Sequence, residues 1–142
     1  MKNLSVERSI WINAPRERVW LAVTDPEQMR GWFSPTSSFK MVGNRIAVKF
    51  GDTEMEVAEL AVIEPPHRLM TNNLMEPGMT TTYLLEEENG GTRFTVIEAG
   101  FEHLSAEARA AHVEQNGKGW EGVIANLEAF VMGKALPNPE GF

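Results

Sequence analysis

Few side chains in this 142-residue chain could do chemistry at neutral pH, and their spacing argues against most of it. His67, His103 and His112 have no metal-like spacing, and none belongs to a recognisable nucleophile–base arrangement. Read with their surroundings, His67 falls in a turn and His103 in the loop before the last helix, so they are expected at the surface. There is no cysteine, which removes thiolate metal sites, disulfides and cysteine nucleophiles together. The serines lack a nucleophile-elbow sequence, and Asn89-Gly90-Gly91 reads as a hairpin turn that opens no helix, so it is no phosphate loop. No metal, no cofactor and no catalytic residue is expected.

Apolar recognition is the richer signal. Trp32, Phe33, Phe39, Phe50, Met55, Met70, Met75, Tyr83, Phe94 and Trp120 serve equally as core or as the wall of a cavity, and methionine suits a pocket that adapts to its guest. Two charges share the inward parity of apolar strand residues: Arg8 with Val6 and Ile10, and Glu98 with Phe94 and Val96. Buried alone, either is costly. They pair with each other or sit near the rim, or they orient the polar end of a guest. Asn72 and Asn73 alternate across their strand, so one of the two faces in, and parity does not say which.

The elements that must position these residues follow from periodicity. Residues 4 to 12 alternate, with Leu4, Val6, Ile10 and Ile12 on one face and Ser5, Glu7 and Ser9 on the other, as a half-buried strand does. Pro15 suits the first position of a helix carrying Val19, Trp20 and Val23, and Asp25-Pro26 caps a second short helix ending near Gly31. Between residues 37 and 99, short Gly, Asn and Pro turns separate strands at 37 to 41, 45 to 50, 54 to 63, 67 to 75, 79 to 87 and 92 to 99. The turns are too short for crossover helices, so the sheet is an antiparallel meander. Ser105 caps a long helix running to Gly133, whose Val113, Gly117, Trp120, Ile124, Leu127 and Val131 form one apolar face. Gly117 is expected to leave room beside Trp120, and Gly122, near the opposite side, to have no part in the cavity.

This order predicts one α+β domain over 1–142, a curved antiparallel sheet of six to seven strands wrapped around a long C-terminal helix, with two short helices after strand one. Residues 135–142, with two prolines and no period, read as a flexible tail. A twisted sheet gripping one helix leaves space between them. A dry void of about 300 Å³ would cost roughly 7 kcal/mol, comparable with a domain's whole net stability, so such a space is small, wet or filled by a guest.

Composition narrows the partners. Thirteen Lys and Arg against twenty Asp and Glu give a net charge of −7, which repels a phosphate backbone, so nucleic acid is not expected. The first residues mix charges before any long apolar run, unlike a signal peptide, and no stretch of about 18 apolar residues suggests membrane insertion. A cytoplasmic protein, a monomer or weak homodimer, is expected.

Several segments carry a family resemblance. Arg8-Ser9-Ile10-Trp11-Ile12-Asn13-Ala14-Pro15-Arg16-Glu17-Arg18-Val19-Trp20, Thr24-Asp25-Pro26-Glu27, Trp32-Phe33, Glu64-Pro65-Pro66-His67-Arg68-Leu69, Gly90-Gly91-Thr92-Arg93-Phe94-Thr95-Val96, Ala99-Gly100-Phe101, Gly119-Trp120 and Asn126-Leu127 occur in order along nearly the whole chain. Together they resemble the START-like (SRPBCC, helix-grip, Bet v-like) superfamily, in the branch named after the activator of heat shock protein 90 ATPase. The resemblance implies the helix-grip fold and no shared catalytic set. The leading expectation is non-catalytic binding of a small hydrophobic or amphipathic molecule by Trp32, Phe39, Met70, Asn73, Tyr83, Phe94, Glu98, Gly117 and Trp120. The alternatives are an interaction module acting on a chaperone ATPase and an enzyme of the cyclase or hydrolase type.

Overall fold

A computed structural model describes residues 5–33 and 38–139. Strand β1 (Val6–Ile12) alternates as its sequence demands: Val6 and Ile12 are buried while Glu7 and Ser9 are exposed. Leu4, assigned to the same strand, lies outside the described residues. Helix α1 (Arg16–Thr24) buries Val19, Ala22 and Val23, with Pro15 at the N-cap, one position earlier than expected. Helix α2 (Pro26–Met29) starts as predicted: the Asp25 carboxylate accepts from the Glu27 amide at 3.1 Å, and Pro26, which has no amide hydrogen to satisfy, occupies the first turn.

Six strands follow: β2 (Ser38–Val42), β3 (Arg45–Phe50), β4 (Thr53–Glu64), β5 (Arg68–Asn73), β6 (Thr80–Glu88) and β7 (Gly91–Ala99). Residue 37, expected to open β2, is outside the described residues. Each strand pairs antiparallel with the next and β1 pairs with β7, giving the order β1-β7-β6-β5-β4-β3-β2. Strand β5 stops two residues short of the expected 75. The Asn73 side-chain oxygen accepts from the amides of Met75 and Glu76, both at 2.8 Å, and turns the chain there.

The register slips at Ile46/Ala47 between β3 and β4, and at Leu60/Val62 between β4 and β5. Each extra residue bends its strand and increases the local twist, so the sheet curls on the side remote from β1.

Helix α3 (Ala106–Met132) starts at Ser105, whose hydroxyl accepts from the Ala108 amide at 3.1 Å, and ends at Gly133 in the left-handed conformation, φ 74°. Its apolar face buries Gly117, Trp120, Val123, Ile124 and Leu127 over β1 and against α1. With Ile12, Val19, Phe94 and Phe101, the side chains of Trp120, Val123, Ile124 and Leu127 form the main core. Met29, Phe39 and Val48 form a second, smaller cluster under α2 and β2. Seven antiparallel strands around one long helix constitute the α+β helix-grip fold.

After α3 the chain returns to the helix at Asn138. The fully buried Asn126 donates to the Asn138 carbonyl at 2.7 Å and accepts from the Asn138 amide at 2.9 Å, and the Asn138 side chain donates to the Gly122 carbonyl at 3.0 Å. Gly122 therefore lies under the returning chain, where a Cβ would meet the Asn138 side chain at 3.4 Å. Residues 140–142 lie outside the described residues.

Candidate functional site

A cavity of about 610 Å³, open to solvent at one side, lies between the curled part of the sheet, α2 and the middle of α3. Strand alternation builds most of its wall. Leu69, Thr71 and Asn73 project inward from β5, and Thr81 and Tyr83 answer them from β6. Val57 and Ala58 are consecutive yet both line the cavity. The register runs from Ala58 opposite Ile46 directly to Glu56 opposite Ala47, so Val57 is the bulged residue and the bend turns two neighbours toward the same space.

One rim is aromatic. Phe33 lies between Phe39, at 5.9 Å between ring centroids, and Trp120, at 5.8 Å, and Trp120 meets Tyr83 edge-on at 6.1 Å. Edge-on and tilted contacts of this kind add to simple area burial and hold the rings in place without any guest.

The polar feature is Glu98, 8% exposed, at the cavity end of β7. Its Oε1 accepts from the Asn116 side-chain amide at 3.0 Å, and the Trp120 indole lies near the same carboxylate. Burial pushes the Glu98 carboxyl above its usual range, while Asn116, Trp120 and the nearby His112 oppose that rise. Burial, and secondarily the Glu98 charge, keep the Tyr83 hydroxyl protonated far above its ordinary range. Among the described lining residues, Glu98 has no second acid or base beside it except this neutral phenol. The arrangement supplies hydrogen bonding and one negative charge, with no nucleophile–base pair among the described lining residues. No group of three or more acidic or histidine side chains among the described residues is arranged to hold a metal ion.

Of the residues singled out by sequence, Phe39, Asn73, Tyr83, Glu98 and Trp120 meet at this cavity. Asn73, not Asn72, is the member of its pair that faces in. Four others are placed elsewhere. Trp32 is fully buried and spent on structure: its indole donates to the Ala22 carbonyl at 2.8 Å, and its own carbonyl accepts from Asn126 at 3.2 Å. Phe94 is fully buried behind the wall, its ring 5.1 Å from that of Tyr83. Met70 alternates away from Leu69 and Thr71 to the other face of the sheet. Gly117 makes room for Arg8 and not for a guest, since a Cβ there would collide with the Arg8 guanidinium. Arg8 pairs with Glu121 at 2.9 Å, not with Glu98, and is half-exposed at the sheet edge.

The sequence reading missed two partners of Glu98. His112, Asn116 and Trp120 recur every four residues, which places them in one row of α3. That row was legible, but nothing local showed that it lies over β7. The small aliphatic wall of Ile46, Val48, Val57 and Leu69 carried no distinguishing signal, because such residues are also ordinary strand core.

His67 and His103 are exposed, as expected. His67 Nδ1 lies 2.7 Å from the Arg16 guanidinium, and His103 Nε2 lies 3.6 Å from Glu76. No helix among the described residues is long and apolar enough to cross a membrane.

Among solved structures, the chain is similar to DynU16, a protein of the dynemicin biosynthetic locus, with TM-score 0.73 and 23% identity over 99% of this chain and 51% of that one. It spans about half the length of DynU16. CalU16 from Micromonospora echinospora matches with TM-score 0.65 and 23% identity, over 89% of this chain and 75% of that one. The Aha1 dimer from Colwellia psychrerythraea matches with TM-score 0.73 and 17% identity, over 92% of this chain and 98% of that one. These likenesses are of fold. No curated protein matches the chain. Residues 13–132 match the model of the family described as Activator of Hsp90 ATPase homolog 1-like protein, a match that takes in α1, α2, the six strands of the meander and all of α3, so the chain belongs to that family.

Proposed function

We propose that the protein binds a small amphipathic molecule in the cavity between its sheet and α3, without chemical change to the guest. The observation that carries this reading is the cavity itself: about 610 Å³, apolar over most of its wall, with one carboxylate at its inner end. That volume lies within the common range for ligand sites. Kept empty and dry it would cost roughly 15 kcal/mol, more than most domains have in total, so water or a guest occupies it. Replacing poorly held water by an alkyl chain is favourable at roughly 25 cal/mol per Å² of apolar surface covered.

An environment-sensitive apolar dye tests the reading. Its emission should rise saturably on addition to the protein, and at a hundredfold excess over Kd it should add about 2.7 kcal/mol of stability, read as a higher Tm. Thr71→Phe replaces a small wall residue by a large one and should remove both responses while the protein stays folded. Absence of any saturable response in the unmodified protein would sink the proposal.

The family match supports a second reading, an interaction module that stimulates a heat shock protein 90 ATPase. Saturable stimulation of that ATPase, unchanged in Thr71→Phe, would favour it over the cavity.

A further inference from the structure

Resting on the ligand-binding reading, the character of the cavity's polar end points to the guest's head group. Among the described residues, Glu98 is the one charged residue of the lining, and no described lysine, arginine or histidine lines the wall with it. A carboxylate offers about four acceptor positions. The Asn116 side-chain amide fills one of them from α3, with the Trp120 indole nearby, and among the described lining residues the remainder have no cation to meet. The neighbouring strands supply none: Val6 lies opposite Glu98 on β1 and Thr81 on β6. Arg8, also on β1, crosses Gly117 and pairs with Glu121. His112 acts on Glu98 from one turn of α3 beyond Asn116 and is not part of the cavity wall. The Asn73 oxygen is committed to the turn after β5.

We propose that the cavity selects amphipathic amines, with the protonated amino group seated on the Glu98 carboxylate and the alkyl or aryl body against the wall formed by Val57, Leu69 and Trp120. An ammonium head donates three hydrogen bonds and neutralises a buried charge that is otherwise expensive. A hydroxyl head donates one and neutralises nothing. A carboxylate head brings like charge to a site with no donor cation among its described residues, so fatty acids are disfavoured. The proton inventory agrees: burial raises the Glu98 carboxyl, and a cationic guest lowers it again, so binding an amine at a pH within the raised range releases a proton from Glu98.

The test uses three probes of one chain length, octylamine, octanol and octanoate, titrated calorimetrically into the intact protein near pH 8. Octylamine should bind about tenfold more tightly than octanol, and octanoate more weakly than either. Glu98→Gln should bring octylamine down to the affinity of octanol and leave octanol unchanged. The net charge of −7 attracts any cation at long range, so the exposed Glu17→Gln, which removes the same charge, serves as control and should keep the amine preference. A pH titration of the unmodified protein needs no variant. Octylamine stays protonated throughout, so its affinity should fall as the pH is lowered and Glu98, whose carboxyl is raised by burial, takes up a proton, while that of octanol holds. Equal binding of all three probes, tighter octanoate, or an amine affinity insensitive to both Glu98→Gln and pH overturns the head-group inference and leaves the cavity reading standing. Failure of all three probes and of the apolar dye to bind removes both.

Discussion

The two ends of the same sheet have opposite fates. Where β1, β6 and β7 run under α3 and α1, the inward residues are sealed: Val6, Ile12, Leu85, Phe94 and Val96 are at most 1% exposed. Where β3, β4 and β5 curl past the helix, the buried cluster shrinks to Met29, Phe39 and Val48, and comparable aliphatic side chains such as Ile46 and Val57, half-buried, face a cavity. The residue types barely differ. What differs is coverage, since α3 lies along β1 and only the short α2 lies over β2. A strand can announce that one of its faces is apolar, but the helix above it decides whether that face becomes core or pocket.

Matched truncations at the two ends would break this contrast most directly. Val123→Ala, on the sealed side, deletes two methyl groups with little room to relax and should cost about 2–3 kcal/mol in denaturant unfolding. Val57→Ala deletes the same atoms from a wall already in contact with open space and should cost less than about 1 kcal/mol. Equal costs would mean that the cavity is closed and packed in solution.

The link between the sealed end and the segment after α3 comes next in size. Asn126 is fully buried and serves Trp32 and Asn138 together. Asn126→Ala strands those backbone groups and should cost about 2 kcal/mol, with faster proteolysis near residue 138 as the local readout. A cost within experimental error would show that the segment detaches freely.

The smallest effects separate two glycines of α3. A Cβ at Gly122 reaches the Asn138 side chain at van der Waals distance, so Gly122→Ala should repair helix propensity and stabilise by up to about 1 kcal/mol. At Gly117 the same gain is offset, because Arg8 must leave Glu121 to make way. Gly117→Ala should change stability by less than about 0.5 kcal/mol, since the pair is partly solvent-exposed and each such pair is weak. A larger gain for Gly117→Ala than for Gly122→Ala would contradict the placement of Arg8.

Much of the fold was legible because its signals are local. The alternation of Val6, Ile10 and Ile12, the Asp25-Pro26 and Ser105 caps, Gly133 at the helix end and the Gly-rich turns each act over a few residues, and each appears where its chemistry requires. The candidate site was legible only in part. Trp120 and Glu98 could be placed inward by period, and Tyr83 and Phe39 stood out by residue type, but period assigns a face and not a neighbour. Phe94 satisfied the same rule, Trp32 was singled out by residue type alone, and both went to the sealed core.

What the sequence determined by itself was therefore the set of elements, their inward faces and the antiparallel meander, because hydrogen-bonding turns and side-chain alternation act at short range. The tertiary structure alone decided which inward residues line the cavity, that Asn116 and not Arg8 meets Glu98, and that Arg8 crosses Gly117 to reach Glu121. Those outcomes depend on how far α3 extends over a sheet bent by two register slips, a balance of long-range packing that no short stretch of residues encodes.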